Sequence, residues 1–200
     1  PTDTTTATAV LNIEPSLAAE VLRELLGNGT ALERGGKVIA TTWLESAVGR
    51  ASAASEEYLV ANSLRFAAPR EQVRQLLRLD VPTFDMVIAE AVKVGRMEER
   101  GAALAPRGYQ PQLTPKQQTQ ADAFLAALTK GGFTPPTDDP PDAALLGYLS
   151  AAGHIEDTGA GVIFASPIFA EMLQHVTAHL EANGTITLAE VRDLFGASRK

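Results

Sequence analysis

The chain contains no cysteine, which excludes a disulfide framework and any metal site built on thiolates. It also fits a reducing, cytoplasmic setting. No apolar run approaches the roughly 18 residues that read as a membrane span, and no basic-then-apolar leader opens the sequence. Positive charge is in deficit, with 17 Lys and Arg against 24 Asp and Glu and a net charge of -7. Any contact with nucleic acid must then be confined to a local patch, because affinity for phosphates comes from counterions released at Lys and Arg. An initiator Met is missing as well, and the opening stretch Pro1 to Thr8 is Thr-rich. The chain therefore reads as a fragment that starts in a linker.

The signatures of catalysis are equally sparse. No Gly-x4-Gly-Lys-Ser/Thr loop is present to cradle phosphates. Gly159-Ala-Gly161 continues into Val-Ile-Phe, without the third glycine of a dinucleotide fingerprint. Glu171, His175 and His179 recur at i, i+4, i+8, yet Val176 breaks the His-Glu-x-x-His order of a metal-binding helix, and a polar helix face is the expectation. Glu98-Glu99 and Asp138-Asp139 are sequence neighbours at turns, and no Ser-His-Asp set can be assigned. The expectation is a non-enzyme with no cofactor and no metal in this chain.

What remains is a 200-residue sequence, 45% hydrophobic, with a mean hydropathy near zero, as expected of a soluble globular chain. Its organisation lies in a repeat. Gly29-Thr-Ala-Leu-Glu-Arg-Gly35 matches Gly95-Arg-Met-Glu-Glu-Arg-Gly101 and Gly153-His-Ile-Glu-Asp-Thr-Gly159, at spacings of 66 and 58 residues. An apolar helical run precedes each (Leu17 to Leu26, Phe84 to Val94, Ala143 to Ala152), and a short apolar strand follows at Val38-Ile39, Ala103 to Ala105 and Val162 to Phe164. The first glycine supplies the left-handed residue that ends the helix. Leu32, Met97 or Ile155 anchors a strand, and the second glycine sits in a hairpin turn. Helix followed by a β-hairpin "wing" is the latter half of a winged helix-turn-helix module. Modules of about 60 residues bury too little surface to stand alone, so an array in which neighbours lean on one another is expected.

The fold class expected is mainly α with small β-hairpins (α+β), as tandem winged helix-turn-helix modules in a linear array. Residues 1–43 would form a partial first winged helix, 44–110 a second, 111–166 an abbreviated third, and 167–200 the start of a fourth. In the second, Trp43 to Asn62 should be helical despite Gly49, and the lone Trp43 should pack in the core. Pro69 opens a short helix with Val73, Leu76 and Leu77 on its apolar face, and Pro82 starts another with Phe84, Val87, Ile88, Ala91 and Val92 spaced for burial. In the third, Thr114-Pro115 caps a helix whose Phe124, Leu125 and Leu128 face the core, and Gly131-Gly132 ends it. The segment Thr134 to Asp142 is too rich in Pro and Asp for a middle helix. In the fourth, a helix from Ile168 to Ala182 presents Met172, Leu173, Val176 and Leu180, Thr185 to Thr187 forms a strand and N-cap, and Leu188 to Phe195 is helical. The chain stops at Lys200, before the helix expected to read nucleic acid.

The run Thr185 to Lys200 (TITLAEVRDLFGASRK) resembles the opening of the last winged helix of the bacterial selenocysteine-specific elongation factors, the SelB family. Val162 to Gly184, Pro69 to Arg96 and Leu113-Thr-Pro-Lys-Gln-Gln are also similar to that family, and the likeness covers about residues 65–200. The resemblance implies a translation GTPase, with its GTP and Mg²⁺, outside this chain. It also implies four C-terminal winged helices, the last of which holds the messenger RNA hairpin that directs selenocysteine insertion. Selenocysteinyl-tRNA and the ribosome would be partners of the longer protein, which would act as a cytoplasmic monomer away from membranes. This chain departs from the pattern in its abbreviated third module and its missing reading helix.

A reading helix carries Arg, Lys, Asn or Gln in its first turns, where they reach phosphates and base edges. The three internal candidates offer Ser16, Glu20, Arg23 and Glu24; then Thr83, Asp85 and Glu90 with Lys93 at the end; then Asp142. Carboxylates aimed at phosphates repel, so these helices are expected to pack rather than read. Ser198, Arg199 and Lys200 begin the fourth and are the candidate RNA-binding residues. A second basic ridge, Arg70, Arg74 and Arg78 with Arg65 nearby, could touch RNA, although Glu71 and Asp80 beside it favour a solvated face. The function expected is a non-catalytic arm linking a GTPase to an RNA-binding winged helix. A winged-helix DNA-binding regulator is the rival, disfavoured by the acidic internal helices.

Overall fold

A computed structural model describes residues 14–34, 36–159 and 161–196. It is mainly helical with small antiparallel sheets of two or three strands, an α+β fold of winged-helix type. The chain divides into two compact units, one of residues 1–63 and 67–110, the other of 64–66 and 111–200.

In the first unit, α1 (Pro15–Gly27) leads into the hairpin β1 (Ala31–Arg34) and β2 (Lys37–Ala40), with Leu32 opposite Ile39. Helix α2 (Thr41–Ala61) runs unbroken through Gly49 and buries Leu44, Ala47, Val48, Ala51, Ser55 and Leu59, a stripe at helical spacing. Strand β3 (Ala68–Pro69) precedes α3 (Arg70–Leu77), α4 (Val81–Lys93), β4 (Met97–Arg100) and β5 (Ala103–Pro106). The sheet order is β3-β5-β4, so the last strand lies in the middle. Val73, Phe84, Ile88, Met97 and Leu104 close the core over α2; each such side chain contributes about 1.5–3 kcal/mol of burial. Buried Ser55 donates its hydroxyl hydrogen to the Leu104 carbonyl at 3.3 Å, tying α2 to the central strand. Trp43 is half-buried against this core.

Two helix faces differ from expectation. Leu76 is 58% exposed and Val92 37% exposed, while their neighbours Val73, Leu77 and Ala91 are buried. Helix α3 has only two full turns, and its contact with α2 takes up Val73 and Leu77, leaving Leu76 on the flank. Thr83, not Val92, completes the buried face of α4.

In the second unit, α5 (Pro115–Gly131) starts at a capping box in which Thr114 and Gln117 bond each other's backbone. Helix α6 (Ala143–Ala151) and the hairpin β6 (Ile155–Asp157) and β7 (Ile163–Ala165) follow. Leu128, Leu145, Leu149 and Ile155 are fully buried together, with Phe124 and Leu125 half-buried against them. No helix forms between 132 and 142. Helix α7 (Ser166–Asn183) buries none of its residues, and Leu173 and Leu180 are 53% and 39% exposed, against the apolar face expected there. Its packing partners are short: the β6–β7 hairpin and α8 (Leu188–Phe195). Residues 185–187 form no strand, but the N-cap expected there is present, with Thr187 closing a capping box with Glu190.

Candidate nucleic-acid interface

Each of α1, α4 and α6 ends at a glycine with positive φ (77°, 72° and 74° at Gly29, Gly95 and Gly153) and enters a hairpin. These helices hold the position before the wing that reads DNA or RNA in a winged helix. Their N-termini decide what they can approach. A helix start carries free backbone N–H groups and a partial positive charge, a ready anion site. In α4 that site is filled from within: Thr83 donates its N–H to Asp80 at 2.7 Å. Hydrogen bonds from the Thr83 hydroxyl and backbone hold the Asp80 carboxyl below its ordinary range. In α6, Leu145 donates its N–H to Asp142 at 2.9 Å. A phosphate would meet a carboxylate at both.

The basic ridge is largely spent on internal pairs. Arg70 reaches Asp85 at 2.7 Å and Glu99 at 2.5 Å, and its guanidinium carbon lies 5.3 Å from the Phe84 ring centre. Partial burial works against the Arg70 charge, but the hydrogen bonds it donates to Asp85 and Glu99 outweigh it and raise its pKa. Arg74 grips both oxygens of Glu71 and donates to the Leu79 carbonyl at 2.8 Å. Its guanidinium, with help from Gln75, draws the Glu71 carboxyl down to about 2. Arg78 is the left-handed C-cap of α3 (φ 55°), beyond the last helical turn, and is exposed without an ion pair among the described residues. The helix thus carries two of the three arginines. Arg65 is exposed and belongs to the other unit. Ser198, Arg199 and Lys200 lie outside the described residues.

Reading the sequence missed Asp80 and Asp142 as caps. The signal was present, since an Asp stands just before each apolar helical run. The β4–β5 wing is similarly self-paired: Arg100 binds Glu98 and the Tyr109 carbonyl, and Arg100 followed by the Gly108 N–H lowers the Glu98 pKa. On α7, Glu171 and His175 stand 3.7 Å apart, and the buried His179 Nε2 has no hydrogen-bond partner among the described residues. No group of three potential metal ligands occurs among the described residues. No described helix is long and apolar enough to cross a membrane.

No protein-family profile matches the chain, and no curated protein matches it. Among solved structures it is weakly similar to the crystal structure of a bacterial selenocysteine-specific elongation factor, EF-Sec. The TM-score is 0.42 at 11% identity, over 85% of this chain and 28% of that one. The chain therefore spans about a quarter of the length of that structure.

Proposed function

We propose that this chain is a non-catalytic arm of a translation factor of the selenocysteine-specific elongation type. It serves as a spacer between a GTP- and tRNA-binding part and a winged helix that holds the messenger RNA hairpin. The observation that carries this reading is the pairing of cations and helix N-termini with the protein's own carboxylates. Asp80 and Asp142 occupy two of the three helix starts in the reading position, those of α4 and α6, and Asp85, Glu99 and Glu71 occupy Arg70 and Arg74. Modules built this way spend their polar groups on their own framework, as a spacer should, whereas a reader leaves them for phosphates and bases. The sequence likeness over residues 65–200 supplies the family. RNA contact is assigned to Ser198, Arg199 and Lys200 and to the helix they would open. The arm itself needs no GTP or metal and works in the cytoplasm as part of a monomeric factor that meets the ribosome and selenocysteinyl-tRNA.

The test is a titration of this chain against a selenocysteine-insertion hairpin and against a random DNA duplex. Neither should give saturable binding tighter than the roughly 10⁻⁶ M end of non-specific affinity. Nanomolar binding to the hairpin, or any sequence-specific DNA complex, would overturn the reading. In the gene, a translation GTPase is expected upstream and a basic helix after Lys200.

A further inference from the structure

Within the first unit, the β1–β2 hairpin and α4 enclose a groove of about 480 Å³. Pro82, Met86 and Ala89 make an apolar floor, and behind them the lining reaches the buried core residue Leu44. Arg34 and Lys37 stand on the hairpin side and Lys93 on the last turn of α4. One carboxylate, Glu90, shares the lining and is bound to Lys93 at 3.1 Å. Asp80 feels the Lys37 charge, but its oxygen already accepts the Thr83 N–H. Among the described residues Lys37 forms no ion pair, and Arg34 donates only to the neighbouring Glu33 carbonyl. A chain of net charge -7 thus concentrates three cations against one carboxylate around an apolar trough.

The lining discriminates between occupants. It has no aromatic ring, so an unstacked nucleobase would find no stacking platform. Phosphates would meet only the rim cations and would leave the apolar floor without a partner. An aliphatic side chain fits the floor, and Met86, unbranched and polarizable, can adjust its shape to it. Carboxylates flanking that side chain would meet Lys37 at one end and Lys93 at the other.

We propose that this groove docks an acidic amphipathic segment of a partner protein. Its aliphatic side chains would lie on Met86, Pro82 and Ala89, and its carboxylates would pair with Lys37, Arg34 and Lys93. This is the helix-in-groove mode of recognition, with the charged rim setting orientation. It does not depend on the translation-arm reading, since neither the RNA hairpin nor the fourth module takes part.

The experiment uses the whole chain with methyl-labelled methionine and ¹⁵N-labelled backbone. The probe is a synthetic helical peptide of about a dozen residues, with Leu at i, i+3 and i+7 and Glu elsewhere. The Met86 methyl and the Lys37 and Lys93 amides should shift together and saturate. Met97, 1% exposed in the core, and Met172, in the other unit, should stay in place. Lys37→Glu should weaken the peptide by about fivefold or more, and Lys93→Gln by about twofold. Lys93, with a 65% exposed side chain, can be replaced without disturbing the fold, which an unchanged melting curve verifies. Three results would each overturn the proposal: no Met86 shift at millimolar peptide, an equal response to the same peptide with Lys in place of Glu, or tighter binding of an oligouridine at the same residues.

Discussion

Two glycines of the first unit should respond to the same substitution with opposite signs. Gly95 follows α4 with φ 72° and opens the turn into β4. An L-residue held in that left-handed region costs about 1–2 kcal/mol, because Cβ crowds the following carbonyl. The Cβ of Gly95→Ala would also come within 2.9 Å of the Arg107 Nη1 atom, but that is the end of a flexible side chain and can swing away. The backbone cost therefore dominates. Gly49 sits in the interior of α2 with helical geometry, and a Cβ there meets only Arg96 Nη1 at an ordinary 3.7 Å. Gly49→Ala should stabilise by about 0.5–1 kcal/mol, the usual penalty of glycine in a helix.

Trp43 is the chain's single Trp and packs on this unit's core, so its fluorescence follows the unfolding of this unit. With a urea slope of roughly 2 kcal/mol/M, Gly95→Ala should lower the midpoint by about 0.5–1 M and Gly49→Ala should raise it by about 0.3–0.5 M. The slope should not change in either case. A neutral Gly95→Ala, or a Gly49→Ala that destabilises as much, would refute the claim that Gly95 is the exit from a packed helix into the wing.

Acid should unfold the protein in a defined window. The Arg74 and Gln75 side chains hold Glu71 at about 2 against an ordinary 4.5, so its folded value is depressed. Its contribution is complete above about 4.5 and lost as pH falls towards 2. Asp80, Glu98 and Glu190 shift in the same direction. Stability should then be flat from pH 7 to 5 and fall below that, and Glu71→Gln should remove part of the fall; an equal acid response in that variant would contradict the assignment. Replacing Arg70, Arg74 and Arg78 together by Ala should change the salt slope of residual RNA binding by no more than about one, because among the described residues only Arg78 of the three lacks a carboxylate partner; a change near three would mean that RNA displaces Asp85, Glu99 and Glu71. In the second unit, Leu128 is 0% exposed, and Leu128→Ala should cost about 2–5 kcal/mol. Faster amide exchange across α5 and α6 would register that loss.

The turning points of the chain were legible from the residues because they are local events. A glycine needed for positive φ at Gly29, Gly95 and Gly153 and the Thr114 cap of α5 all act within a few residues. Proline and aspartate between 134 and 142 likewise exclude a helix by their own backbone chemistry. The strand expected at 185–187 failed for a related reason. Thr-Ile-Thr favours extension, but a strand exists only where a second one lies alongside to take its hydrogen bonds.

What tertiary structure alone decided depends on partners far away in sequence. Ala68 and Pro69 become a strand because β5 brings Leu104 and Ala103 beside them, a pairing too short to leave a periodic signal. Leu76 and Val92 satisfy an apolar pattern yet stay in water, because a helix face is buried only where a neighbour covers it. Arg70 looked like a free cation, and what occupies it, Asp85 and Glu99, stands 15 and 29 residues further on. Short-range sterics write the boundaries of these modules into the sequence; which charges remain available to a partner is settled only when distant segments pack and neutralise one another.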